Sequence, residues 1–240
     1  SRLDDAFTAQ KQFSASAAHE LRTPLAVMQT NLEVFARKKT PTIEEYQDIF
    51  GMIQNQTERL SHLSEVLLDM TGIQSVERSD FISLAELTDE VCCDLASIAD
   101  QKKVELIQEE GDCTVTGSYL LLYRAVYNLV ENAIKYNHPG GKVTVKISQK
   151  KAVPDPFAHS QSTDCAFVEV TDTGIGISPE FQEKIFDPFF RVDKSRSRAM
   201  GGAGLGLALV NEIARQHGGQ VKVLASSEKG STIALILPLS

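Results

Sequence analysis

Phe13-Ser-Ala-Ser-Ala-Ala-His19-Glu20-Leu21-Arg22-Thr23-Pro24-Leu25 is the stretch on which the reading of this chain turns. From it, apolar residues recur at Leu21, Leu25, Met28, Leu32 and Phe35, in alternating steps of four and three. That spacing draws one stripe along an α-helix, with the character of a coiled-coil seam. At about 100° per residue, His19 falls roughly 130° from the centre of the stripe and faces outward, beside the carboxylate of Glu20. A solvent-facing imidazole offers a ring lone pair near neutral pH and can act as a nucleophile. On its own such a histidine is an ordinary solvated side chain, so any role for it must come from elsewhere in the chain.

The helical pattern runs from about residue 2 to 38. Pro24 lacks a backbone donor and predicts a bend near residues 20–24. Lys38-Lys39-Thr40-Pro41-Thr42 ends this helix and starts another, with Thr40 or Thr42 as N-cap and Glu44 and Glu45 in the first turn. Tyr46, Ile49, Ile53, Gln56, Leu60, Leu63, Leu67 and Met70 continue in steps of three and four, and Gly72 suits the helix end. Two long helices with one apolar stripe each cannot bury both stripes as a lone hairpin. Pairing two hairpins into a dimeric four-helix bundle would bury them.

After about residue 80 the period changes. Short strands near 81–84, 104–108 and 113–116, with helices at 85–101 and 118–137, lead to strands at 142–149 and 166–171 across a long loop. A helix at 204–217 and a closing hairpin of 220–225 with 232–238 complete the pattern. The expected fold class is α+β: a helical hairpin over 1–74, a hinge at 75–80, and an α/β sandwich over 81–240 with a mixed sheet and helices on one face.

Composition narrows the function. A chain of 240 residues, 42% apolar and 23% charged, is globular in type. Its net charge of −8 argues against a nucleic-acid or anionic-membrane surface. No apolar run reaches the ~18 residues that a membrane span needs. Cys92, Cys93, Cys113 and Cys165 lack metal-ligand spacing and are expected as reduced thiols in a cytoplasmic setting. The start at Ser1-Arg2-Leu3, without Met or a leader pattern, suggests a piece of a longer protein.

Three stretches of the second half carry chemistry. In Tyr127-Asn128-Leu129-Val130-Glu131-Asn132-Ala133-Ile134-Lys135-Tyr136-Asn137, the residues Asn128, Asn132, Lys135 and Tyr136 share one helix face. Leu122, Val126, Leu129 and Ala133 share the other. With the apolar face in the core, two amides, an ammonium and a ring look into one space. An amide oxygen is a hard ligand suited to Mg²⁺, and the ammonium suits phosphate. In Val170-Thr171-Asp172-Thr173-Gly174-Ile175-Gly176-Ile177, a carboxylate at a strand end precedes a Gly-x-Gly backbone that a planar ligand can approach closely. Gly201-Gly202-Ala203-Gly204-Leu205-Gly206-Leu207 runs into a helix whose first N–H groups suit phosphate. It is neither a P-loop nor a dinucleotide-binding turn, having no Gly-Lys-Ser/Thr ending and no preceding strand. Between the last two boxes, Phe186-Asp187-Pro188-Phe189-Phe190-Arg191 and the polar, basic run to Arg198 suggest a lid. Each stretch alone is compatible with an ordinary surface, turn or loop.

In this order the motifs resemble the catalytic core of bacterial sensor histidine kinases across essentially the whole chain. His19–Leu25 resembles their H-box, Asn128–Asn137 the N-box, Asp172–Gly176 the G1 box, Phe186–Phe190 the F-box and Gly202–Gly206 the G2 box. Lys135-Tyr136-Asn137 adds a fainter likeness to vancomycin-resistance-type sensors. The resemblance implies an ATP-dependent kinase that phosphorylates itself on His19, with Glu20 as the adjacent base. The phosphoryl group would then pass to an aspartate of a response-regulator receiver domain, and Thr23 would orient water when that partner is dephosphorylated. ATP and Mg²⁺ are the implied cofactors. Asn132 would hold the metal with Asn128 beside it, Lys135 would contact phosphate, Tyr136 the adenine or ribose, and Asp172 the adenine amino group. Gly174, Gly176, Gly202, Gly204 and Gly206 would shape the backbone around the nucleotide. Phe189, Arg191, Leu205 and Thr232 complete the expected nucleotide-binding set.

The expected partners are a second copy of the chain and the receiver domain. Nucleic acid is not expected, nor membrane contact by this stretch, which would be the cytoplasmic part of a membrane-anchored protein. The chain departs from the pattern twice. Ser118 stands where Asp is common after Gly117 and is expected as an N-cap, and Ala203 replaces a frequent Thr or Ser. Two other readings stay open at this point: an ATPase or serine kinase of the same nucleotide-binding fold, and an inactive ATP-binding scaffold.

Overall fold

The computed structural model describes residues 2–73, 76–151, 164–192 and 204–239. Helix α1 (Arg2–Ala36) runs unbroken through Pro24. Helix α2 (Ile43–Gly72) starts on a capping box. The Glu45 N–H donates to the Thr42 hydroxyl at 3.3 Å, and the Glu45 carboxylate accepts from the Thr42 N–H at 3.1 Å. Of the two candidate caps, Thr42 therefore serves. Phe35 and Tyr46 close the hairpin edge to face, with ring centroids 5.0 Å apart.

The remainder is a mixed sheet with helices on one face. β1 (Asp80–Ser83) leads into α3 (Leu84–Lys102), β2 (Glu105–Gln108), β3 (Thr114–Gly117) and α4 (Tyr119–Lys135). β4 (Lys142–Lys151) and β5 (Asp164–Asp172) follow, then two 3₁₀ turns at Pro179–Phe181 and Lys184–Phe186. α5 (Gly206–Gln216), β6 (Gln220–Ser227) and β7 (Gly230–Pro238) close the chain. The main sheet has the order β2-β4-β5-β7-β6, with β2 parallel to β4 and the other pairs antiparallel, and β1 pairs with β3 in a small second sheet. Strand alternation sends Val143, Val145, Val168, Val170 and Leu235 into the core with Leu122, Val126, Val130 and Ile213 of the helices. Cys165, Phe167, Ala234 and Ile236 form a separate cluster on the opposite face of the same strands. Residues 152–163 and 193–203 lie outside the described residues, so the centre of the expected long loop and the basic end of the expected lid do too. The strands themselves run further into that loop than their pattern predicts, to Lys151 and from Asp164. Cys92, Cys93 and Cys113 are free thiols.

The hairpin joins this core through both of its helices. Leu63 and Val66 of α2, with Ile73 just after it, are buried in one cluster with Leu205 and Leu209, and Phe13 and Leu21 of α1 pack against it. Further along the hairpin the apolar stripe is uncovered: Leu25 is 53% exposed and Leu32 45%.

His217, just after α5, ties that helix to the start of α4. Its Nε2 accepts from the Ser118 N–H at 3.1 Å, so Nδ1 carries the proton and donates to the Ile213 carbonyl at 2.8 Å. The ring lies where a Cβ on Gly117 would clash, with its Cδ2 2.6 Å away. Burial pushes the His217 pKa down, and the Arg78 charge adds to this against the Ile213 hydrogen bond. The folded pKa thus lies below the unfolded value near ~6.5, and the unfolded chain binds more protons as the solution is acidified. Stability from this group is present above that value and is lost as pH falls through the folded pKa. We expect the urea unfolding midpoint to drop between pH 7.5 and 5.5. His217→Gln should be less stable at pH 7.5 by about 1–2 kcal/mol and show a flatter profile. An equally steep profile in the variant would refute the assignment.

Candidate functional site

Helix α4 starts on Ser118, whose side chain accepts from the Leu121 N–H. Leu122, Val126, Leu129 and Ala133 are buried beneath it. Its other face, Asn128, Asn132, Lys135 and Tyr136, lines a cavity. Asn128 Nδ2 donates to the Arg124 carbonyl at 2.8 Å, which turns Oδ1 toward Gly206 at the start of α5. A Cβ on Gly206 would lie 2.6 Å from that oxygen, so any larger residue there would push the Asn128 amide aside. The N-cap residue of α5, Leu205, makes no side-chain cap bond. The helix therefore presents its first N–H groups and positive dipole end to the cavity.

Asp172 ends β5 on the far wall. Its carboxylate accepts from the Gly174 N–H at 2.8 Å. Burial pushes its pKa up, against the Gly174 and Ser231 N–H groups, which favour the ionised form. The turn that follows needs its glycine. Gly176 has φ +70°, and a Cβ there would sit 1.8 Å from the Ser227 carbonyl oxygen. Ile175, Ile177, Val170 and Ile233 make this end of the cavity an apolar slot with a single carboxylate, suited to a flat heteroaromatic ring.

The opposite chemistry gathers around Lys135. Burial pushes its pKa down, Glu131 opposes this, and Lys102, Arg191 and Arg59 add to the depression. Cations collected at a cavity wall beside a helix N-terminus favour a polyanion. Arg191 lines the same cavity, as do Gly204, Leu205 and Gly206.

Some expected site residues stand elsewhere. Thr232 does not line the cavity: strand alternation turns it to the other face, 3.0 Å from the Thr171 hydroxyl, while its neighbours Ser231 and Ile233 line the wall. Phe189 is also displaced from the lining, and Phe190 takes that position. Phe189 instead meets Phe13 of α1, with ring centroids 5.5 Å apart, and donates its N–H to the Gly204 carbonyl at 2.8 Å. Gly174 backs the wall, where a Cβ would strike the Tyr136 carbonyl oxygen at 2.4 Å. Gly202 lies outside the described residues. Glu131 and Val66 also line the cavity and were missed. Glu131 sits one step round the helix from Asn132, while Val66 comes from α2, and no pattern within α2 announces a contact with a distant domain.

His19 is exposed on α1, in a shallow groove with Arg22, Thr23, Ala26, Val27, Thr30 and Asn31, and it is not among the described residues lining the nucleotide-type cavity. The Thr23 hydroxyl donates to the His19 carbonyl at 3.0 Å. Glu20 faces α2, where its Oε2 accepts from Arg59 Nη2 at 3.2 Å.

With this geometry in place, known proteins give it a context. Residues 117–240 match the family described as histidine kinase-, DNA gyrase B-, and HSP90-like ATPase, and residues 9–75 match the His Kinase A (phospho-acceptor) domain. The sensor histidine kinase RppB of a Synechocystis species is 34% identical over 235 residues, covering 96% of this chain and 49% of RppB. The chain thus spans about half the length of the curated relatives it matches. Among solved structures, histidine kinase ThkA in complex with response regulator TrrA superposes with a TM-score of 0.72 at 22% identity, covering 99% of this chain and 64% of that one. Acinetobacter baumannii histidine kinase AdeS gives 0.68 at 22% identity, covering 92% and 98%. At these identities the structures speak to the fold. Nothing in these matches supports the narrower likeness to vancomycin-resistance sensors.

ATP use follows from the C-terminal match. Replacing Gly176 by Ala forces the turn below the apolar slot to move. Titration with a fluorescent ATP analogue should show affinity reduced at least about tenfold, with far-UV helicity retained. An unchanged affinity would exclude this turn from the binding site.

Proposed function

This chain belongs to the sensor histidine kinases, and from that premise we propose that it transfers the γ-phosphoryl group of ATP to His19. We further propose that it relays the group to an aspartate of a response-regulator receiver domain. The observation that carries the reading is one cavity that joins the polar face of α4 to the uncapped start of α5, beside a hairpin bearing an exposed histidine. Phosphoryl transfer asks the protein chiefly for positioning and charge neutralisation. In this reading Asp172 takes the adenine amino group, with Tyr136 against the base or ribose. Lys135, Arg191 and the N–H groups from Gly204 to Gly206 take the phosphates.

Mg²⁺, when bound, supplies further neutralisation of phosphate charge. The residues fit it in a particular way. Among the described residues there is no cluster of three or more His, Cys, Asp or Glu, so the amide of Asn132, with Asn128 beside it, is the protein's offering. A metal that keeps waters and phosphate oxygens as its other ligands suits such a site.

The remaining parts of the reading concern partners and boundaries. The hairpin over 1–74 is the phosphoacceptor and dimerisation unit, 75–80 the hinge and 81–240 the ATP-binding domain. Exposed Leu25, Leu32 and Tyr46 support burial of the hairpin stripe in a dimeric bundle. ThkA, solved with a response regulator, supports the second partner. Thr23 orients water when the same bundle dephosphorylates that regulator. No described helix is long and apolar enough to cross a membrane. We place the chain on the cytoplasmic side, as part of a longer anchored protein.

The test is incubation with γ-labelled ATP and Mg²⁺, followed by acid and base treatment. Label should be acid-labile and base-stable, absent from His19→Gln, lost on chelation with EDTA, and reduced at least about tenfold in Asn132→Ala. Label that survives acid, or that persists without His19, would overturn the reading.

A further inference from the structure

Arg59 lies on α2 where the hairpin meets the ATP-binding half. Leu63 and Val66 follow it at the spacing of one and two helical turns, both are buried, and Val66 forms part of the nucleotide cavity wall. From this face Arg59 Nη2 reaches across the hairpin to Glu20 Oε2 at 3.2 Å. Both side chains are sheltered, at 12% and 22% exposure, so this is not the kind of exposed ion pair that contributes little. A sheltered guanidinium–carboxylate pair fixes the orientation of both partners. Among the described residues Oε1 of Glu20 makes no hydrogen bond, and Glu20 makes none to the His19 ring. The charge of Arg59 is also felt at Lys135, on the cationic side of the cavity.

We infer that Arg59 is a positioning residue of the phosphoryl transfer: by holding Oε2 of Glu20 it presents Oε1 to the imidazole N–H of His19. The inference rests on the histidine-kinase reading above. In the transfer, one ring nitrogen of His19 forms the N–P bond while the bond from the γ-phosphorus to the ADP oxygen breaks, and that electron pair leaves with ADP. The proton on the other ring nitrogen passes to Glu20. A freely rotating carboxylate meets that proton only in some of its rotamers, whereas one tethered at its far oxygen has fewer to search. Arg59 thus acts through Glu20 rather than on the phosphate.

The experiment measures initial rates of His19 labelling across ATP concentrations for the whole 240-residue chain, as wild type, Arg59→Met, Arg59→Lys, Glu20→Gln and the Arg59→Met/Glu20→Gln double variant. The Kd of a fluorescent ATP analogue is measured alongside. Arg59→Met should lower kcat about tenfold or more, a clearly larger factor than any change in KM or in the analogue Kd. Arg59→Lys should recover most of the loss, and Arg59→Met should cost nothing further once Glu20 is Gln. A merely structural role would lower both backgrounds alike. If circular dichroism shows Arg59→Met unfolded, Arg59→Gln carries the same test.

A kcat within about twofold of wild type, a further loss on top of Glu20→Gln, or a Kd change as large as the rate change would each overturn the inference. A wild type that takes no label on His19 would overturn the kinase reading and this inference together. A labelled wild type with a rate-neutral Arg59→Met overturns the inference alone.

Discussion

Helix α4 has to satisfy two environments at once, and the geometry of the site depends on how it does so. Leu122, Val126 and Leu129 are almost wholly removed from solvent. Each such burial contributes roughly 1.5–3 kcal/mol, so rotating the helix to expose one of them is costly. The rotation that buries them leaves Asn128, Asn132 and Lys135 facing the cavity, with no freedom to face elsewhere. The sheet then sets the distance to the opposite wall. Val143 pairs with Asp172 across β4 and β5, and Asp172 with Ser231 across β5 and β7, which brings the carboxylate and Ser231 to adjacent strand positions. The cavity is thus a by-product of core packing, and its polar groups are preorganised by apolar ones.

That preorganisation has an electrostatic cost which a ligand relieves. Lys135 is half-buried, with Arg191, Lys102 and Arg59 raising the local positive potential and Glu131 countering it in part. A triphosphate would restore balance, and the N-terminus of α5 adds a fixed dipole of the same sense. Asp172 presents the reverse case. It is a carboxylate held in a mostly apolar slot by two N–H groups, where a donor on a flat ring replaces lost hydration.

Residues that act through periodicity were legible in the sequence. His19 outward, Asn128, Asn132 and Lys135 on one face, and Gly72 ending α2 all follow from a period of 3.6 and from end signals. Residues whose role depends on strand parity at a wall were less so. Thr232 was expected in the site, but its hydroxyl pairs with Thr171 on the opposite face, and Ser231 and Ile233 face the cavity instead. Thr42 rather than Thr40 caps α2 because Glu45 lies three residues on and completes the box, a distinction that composition alone leaves open. Contacts between hairpin and ATP-binding half left no local trace. Val66 lies just off the apolar stripe of α2, and Phe13 precedes the seam of α1, yet one lines the cavity and the other meets Phe189.

Those contacts bear on how the proposed transfer is reached. Val66 belongs to the cavity wall while His19 lies in a separate groove of the hairpin, so delivering phosphate to the imidazole requires the two halves to change their mutual packing. The joint is apolar, built around Leu63, Val66, Ile73 and the Phe13–Phe189 pair. Joints of that kind are compatible with relative domain motion. Phe189 adds a stored component. Its φ of +64° is unfavourable for an aromatic residue and costs of order 1–3 kcal/mol. It is held there by the N–H bond to Gly204 and by the Phe13 ring. Breaking the Phe13 contact removes one of these two restraints, so the loss of apolar contact on opening is partly offset by relaxation of the backbone. The same backbone leads on through Phe190 and Arg191 into the cavity. Movement of α1, which carries both Phe13 and His19, is thereby coupled to the segment that brings Phe190 and Arg191 to the cavity wall.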